Sequence, residues 1–129
     1  MDRAFERVLA SAVRLPGAVD VWRPAMDVYE TESGVILRVE LAGVPSEEVR
    51  VVIDGEYVQI CGRRGLPRAA EGQRHLLIEI SQGPFERVLR MRAPYDADGV
   101  VARLEQGILT VELPRKENAP RTIQVRSQS

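Results

Sequence analysis

The sequence predicts an all-β domain, an antiparallel sandwich, with a short helical arm before it and an extended tail after it. Three observations carry that prediction. Apolar and polar residues alternate along several short runs, the period of a strand with one wet face. The runs recur at about 8–12-residue spacing with turns between them and no helices interleaved. Hairpin signals join neighbouring runs, with Asp54-Gly55 before one return strand and Gly107 before another.

Taken in order, Phe5, Val8, Leu9, Ala12 and Val13 fall at i, i+3, i+4, i+7 and i+8. That spacing predicts one apolar stripe on a short amphipathic helix, stopped by Pro16-Gly17. A helix this short is marginal in water. The stripe either lies on its own domain or forms a mobile arm offered to partners, and both readings stay open.

After Val21-Trp22-Arg23-Pro24 the pattern becomes strands. Met26 and Val28 alternate with Asp27 and Tyr29, and Val35, Leu37, Val39 and Leu41 alternate with Ile36, Arg38 and Glu40. Pro45-Ser46-Glu47-Glu48 reads as one helical turn, since Pro suits a helix start and acids suit its positive end. Val49, Val51 and Ile53 make the next strand, Asp54-Gly55 signals a type I′ turn, and Tyr57 to Cys61 returns alongside.

Gly62 to Gln73 is polar and broken by Gly and Pro, a long loop of a length more often functional than filler. Out of it comes Arg74 to Ile80, an expected strand with Leu76, Ile78 and Ile80 on one face. Phe85 to Met91 is another, with Phe85, Leu89 and Met91 on one side and Arg87 among them, where an unpaired charge is costly and needs a partner. Asp96 to Gly99 leads into a hairpin, Val100 to Leu104 and Ile108 to Leu113, turned through a short bulged loop at Gly107 and ended by Pro114. Arg115 to Pro120 is polar and extended, and Arg121 to Arg126 sets Ile123 and Val125 on one side of a lone strand.

The 129 residues fit one domain with short tails. A net charge of −1 with scattered arginines offers no basic field to nucleic acid or an anionic membrane. Arg7 and Arg14 interrupt the apolar run that a signal peptide needs, and no stretch is long enough to span a bilayer. The single Cys61 forms no internal disulfide and fits a reducing compartment, so a cytoplasmic location is expected. No catalytic constellation assembles. One His (His75) and one Cys cannot anchor a zinc site, no Gly-rich phosphate loop follows a strand, and Ser81 lacks the strained elbow of a hydrolase. An enzyme is not expected, nor a metal or other cofactor.

Five stretches in order resemble the small heat-shock proteins, built on the α-crystallin domain. They are Trp22-Arg23-Pro24-Ala25-Met26-Asp27-Val28-Tyr29-Glu30; Leu41-Ala42-Gly43-Val44; Gly83-Pro84-Phe85-Glu86-Arg87; Ala102 to Pro114 followed by Arg115-Lys116; and Ile123-Gln124-Val125 for the family's Ile/Val-x-Ile/Val tail pair. Gln106 stands where the family's hairpin usually has Asn, and Met91-Arg92 where Leu-Pro is common. The arm before Trp22 is short for the family.

The resemblance implies an immunoglobulin-like sandwich over residues 22–114 with a swapped-strand loop at 62–82, an arm at 1–21 and a C-terminal extension at 115–129. It implies a dimer in which the loop strand, through Leu76, Ile78 and Ile80 with Arg87, pairs with the edge of a second copy. A loop strand must in any case pair somewhere, and exchange between copies is a low-cost route to a dimer. The resemblance further implies that Ile123 and Val125 dock in a groove formed by Val49, Val51, Ile53, Val101 and Leu104 of a neighbour. The arm, through Phe5, Val8, Leu9, Val13 and Trp22, would serve clients and assembly. The implied function is an ATP-independent holdase in a dynamic homo-oligomer, binding partly unfolded proteins and passing them to ATP-dependent refolding chaperones. Neither nucleic acid nor stable membrane insertion is implied. The rival reading is a co-chaperone or scaffold sandwich that binds a folded partner, though such modules lack the tail pair and the strand-bearing loop. An adhesion module would need a signal peptide and a Cys pair around a core Trp, and neither is present.

Overall fold

Val35, Leu37 and Val39 on one face of β3 (Gly34–Glu40), with Leu41 just beyond, are all but sealed from water, the last three with no exposed surface. In the computed structural model, which describes residues 9–12, 20–65, 67, 70–116 and 122–127, that face is the middle of one layer of a two-sheet sandwich. β3 pairs with β2 (Met26–Thr31) on one side and β8 (Ile108–Pro114) on the other, and β7 (Val101–Glu105) completes the order β2-β3-β8-β7. The second sheet holds β1 (Leu9–Ala12), β6 (Gly83–Met91), β5 (Tyr57–Arg64) and β4 (Val49–Asp54), in the order β1-β6-β5-β4. All strand neighbours run antiparallel.

Inner faces alternate as period 2 demands. Leu109, Val111 and Leu113 of β8, Val58 and Ile60 of β5, and Phe85, Leu89 and Met91 of β6 meet β3's inner row in one cluster. Gly62 stands where a Cβ would collide with the Glu48 carbonyl and lie 2.7 Å from the Phe85 ring, so only glycine lets β5 and that ring close up. The turn before β4 is a 3-10 turn, Ser46–Glu48, in agreement with the acids at its start.

Three local expectations are corrected. Leu9–Ala12 is a strand and not a helical turn: it pairs with β6, whose outer edge would otherwise leave backbone groups unmet, and that non-local gain overrides a marginal local helix. The rest of the predicted helix lies outside the described residues. The β7–β8 loop has just Gln106 and Gly107 between paired Glu105 and Ile108, with φ of +50° and +79°, a tight type I′ turn rather than a bulged one. Between Asp54 and Tyr57 the loop residues are Gly55 and Glu56, and only Gly55 has positive φ (+58°), the sign pattern of type II′ rather than I′.

Candidate functional site

The loop between β5 and β6 is pinned at both ends by Arg64. Its Nε donates to the Ala42 carbonyl and its Nη1 to the Ser81 carbonyl, each at 3.0 Å, while its guanidinium sits 4.4 Å from the centroid of the Trp22 ring. Between these pins the expected strand Arg74–Ile80 is not formed, and its residues pair with no strand among the described residues. Leu76 is 88% exposed, Leu77 77%, Ile78 61% and Ile80 69%, a run of wet apolar side chains that a monomer rarely keeps. Ile80 also lines an open cleft of about 760 Å³ with Ala42, Gly43, Arg64 and Gln82.

Arg87 is not gathered with these residues. It lies on the inner face of β6, and its Nη1 donates to the Pro24 carbonyl at 2.8 Å, the partner its burial demanded. Burial pushes the guanidinium below its ordinary value, and Arg23 nearby adds to that. Trp22, expected to act with the arm, is fixed to the start of β6. Its Nε1 donates to the Gly83 carbonyl, its backbone exchanges bonds with Pro84 and Glu86, and its ring is tilted 57° against Phe85 at 5.4 Å. Leu9 heads β1, and Phe5, Val8 and Val13 lie outside the described residues.

Because Trp22 and Pro24, leading into β2, hold β6, the two sheets stack with β2 over the β6 side. The opposite edge strands, β7 and β4, therefore run along one side of the sandwich. Val49, Val51 and Ile53 of β4 are half-buried against the core from that side, as is Leu104 of β7. Val101 points the other way: it pairs with Glu112 on the outer face and is 46% exposed. Val100, half-buried against the core, takes the inward place, which the alternation Val100, Ala102, Leu104 signals in the sequence. In the tail, Ile123 is 77% and Val125 91% exposed, and residues 122–127 form no strand within the chain. Arg64's double anchorage had no sequence signal, since its acceptors are carbonyls brought together by the fold.

Nothing described resembles a reaction centre. Among the described residues no group of three or more His, Cys, Asp or Glu could hold a metal ion. Cys61 is half-buried on the outer face of β5, its thiol pushed up by burial, eased by Arg50 and raised further by Glu86. Among the described residues no helix is long and apolar enough to cross a membrane.

What remains is a packed sandwich with two exposed apolar strips, and its relatives share that body. The chain is 35% identical over 105 residues to spore protein SP21 of Stigmatella aurantiaca and 32% identical over 94 residues to small heat shock protein C2 of Rickettsia felis. These matches cover 81% and 73% of this chain but 62% and 61% of those proteins, so the chain spans about three fifths of its relatives' length. Among solved structures it is similar to heat shock protein 16.0 from Schizosaccharomyces pombe, with TM-score 0.69 and 33% identity, covering 83% of this chain and 99% of that one. It is also similar to a small heat-shock protein from Xylella fastidiosa whose crystal structure has a distinct high order structure, with TM-score 0.71 and 28% identity, covering 84% and 100%. The Hsp20/alpha crystallin family model matches residues 27–126, and the chain belongs to that family.

Proposed function

We propose that this chain is an ATP-independent holdase, working from a dynamic homo-oligomer that binds partly unfolded proteins and keeps them from aggregating under heat or other stress. The observation that carries the reading is the pair of exposed apolar strips, Leu76 to Ile80 and Ile123 with Val125, on a body whose own core is closed. The loop strand pairs with the free edge of a second copy and makes a dimer. The tail pair docks along β4 and β7 of a neighbouring dimer, where Val49, Val51, Ile53 and Leu104 offer a half-buried apolar lining. The high order structure of the Xylella fastidiosa relative supports assembly of this kind.

Magnitudes explain why the assembly is dynamic. Burying one Ile and one Val gains about 1.5–3 kcal/mol each, much of which offsets the ordering of a flexible tail. One tail is weak, and several in a closed assembly hold together while each releases separately. Heat frees tails and uncovers apolar strips, which bind non-native chains by non-directional burial and without nucleotide. The site is cytoplasmic, and refolding passes to ATP-dependent chaperones.

A heat-labile test protein warmed with this chain and no ATP should stay in solution, while light scattering in parallel reports a mass of many subunits. A solitary monomer that leaves the test protein to precipitate would sink the reading.

A further inference from the structure

The outer edge of β6 is covered in two unequal ways. At its start, Trp22 bridges to Phe85: its amide donates to the Pro84 carbonyl at 3.1 Å and its carbonyl accepts from the Glu86 amide at 3.2 Å, with the indole fixed by Gly83, Phe85 and Arg64. At its end, β1 contributes two partner pairs, Leu9 opposite Met91 and Ala12 opposite Leu89, with one extra residue on β1 breaking the register between them. On its other edge the same strand makes eight uninterrupted pairs with β5. The β1 cover is thus the weakest ladder in the sheet, on a strand that pairs fully elsewhere.

We propose that β1 is a replaceable cover, and that β6 beneath it receives an extended apolar segment of a partly unfolded protein by strand addition. This rests on the holding role proposed above and adds a site for it. The edge selects its occupant by its neighbours. Leu89 and Met91 border it on the inner face at 1% and 3% exposure, and Val88 borders it on the outer face at 2%. A segment laid there meets apolar side chains on either face, flanked by Glu86 and Arg90 outside. β1 itself, Leu-Ala-Ser-Ala, shows the kind of sequence accepted. A segment without the bulge forms more pairs along Val88 to Met91 than β1 does, so it displaces β1 and leaves Trp22 in place on Phe85 and Glu86. Main-chain bonds supply affinity without demanding one sequence, which suits a site for many clients.

Alternate amides along a strand point the same way, so with Glu86 donating outward to Trp22, the amides of Val88 and Arg90 face outward too. They are the reporters. The test uses the full chain and Ser11→Pro, which takes an N–H from β1, with a fluorescent, reduced and carboxymethylated test polypeptide that cannot refold. Ser11→Pro should bind it about tenfold more tightly, because the open edge rises from a minor fraction towards full occupancy. In free Ser11→Pro the Val88 and Arg90 amides should exchange with deuterium faster, then regain protection when the polypeptide binds. A synthetic peptide of residues 7–14 should displace it. Binding by both proteins with no protection at Val88 and Arg90 overturns the edge site while the holding role stands. Protection by the 7–14 peptide but not by the polypeptide gives the edge to a second copy's arm and also overturns it. No binding by either protein removes the holding role, and this inference with it. Should Ser11→Pro not fold, the same two amides in the unaltered chain at saturating polypeptide decide the matter.

Discussion

Leu37 and Leu76 are the same residue type on comparable alternating runs, yet one has no exposed surface and the other is 88% exposed. β3 finds its partners within the chain, β2 on one side and β8 on the other, and its inner row closes the core. The segment 74–80 has the same alternation and, among the described residues, no strand beside it. Hydrophobic pattern states that a face must be covered; it does not say by which molecule. In the body the cover is the opposite sheet, and for the loop and tail no described part of the chain supplies one.

That contrast separates two kinds of substitution. The largest effect belongs to the body: Phe85→Ala removes a side chain that is 1% exposed and packs on Trp22, at a cost of about 3–5 kcal/mol. Urea denaturation followed by Trp22 fluorescence should show a large fall in midpoint, and an unchanged midpoint would deny that this end of β6 anchors the core. The loop should behave oppositely. Leu76→Ser with Ile78→Ser touches side chains exposed in the isolated chain, so subunit stability should move by about 0.5 kcal/mol or less, while sedimentation should show dimers giving way to monomers. Loss of fold instead of loss of mass would erase the distinction. Weaker again is the tail. Ile123→Ala with Val125→Ala should shrink the assembly towards dimers by light scattering and leave the unfolding midpoint alone, and an unchanged size would count against the tail latch.

The sequence made the body legible because its strands are locally consistent: period 2 places Val35, Leu37, Val39 and Leu41 on one face, and each is buried. It placed Arg87 on an inner face and required a partner, which Pro24 supplies. Where it misled, non-local pairing decided. Leu9 to Ala12 carries a helix-like spacing but answers to the edge of β6, some eighty residues away in the chain. Val100-Val101 is apolar at both positions and so reads as a groove at Val101 if composition alone is used, whereas the alternation through Ala102 and Leu104, which pair with Val111 and Leu109, turns Val100 inward. The segment 74–80 read as a strand from its alternation, yet it forms none in the structure, because alternation alone supplies no neighbour and no described strand of the chain lies beside it.

The finest test of the body against the strips concerns one bond between crossover and hairpin. Tyr95, on the connection from β6 to β7, donates its hydroxyl to the Gly55 carbonyl at 2.7 Å, tying that connection to the β4–β5 turn. Burial pushes the phenol above its ordinary value, with Asp54 adding to it. For a group raised in the folded state, the stabilisation is full below the unfolded value near about 10 and is lost as pH climbs through the folded one. The bond is partly open to water, so Tyr95→Phe should cost about 0.5 kcal/mol at neutral pH, the low end for a hydrogen bond. Thermal unfolding of the two proteins should therefore differ slightly at neutral pH and converge at alkaline pH, once the raised phenol of Tyr95 has ionised and has no proton to give. Curves that stay parallel through that range would show that the contact contributes nothing, and would leave this connection held by the Asp96 amide bond to the Pro114 carbonyl and its neighbours.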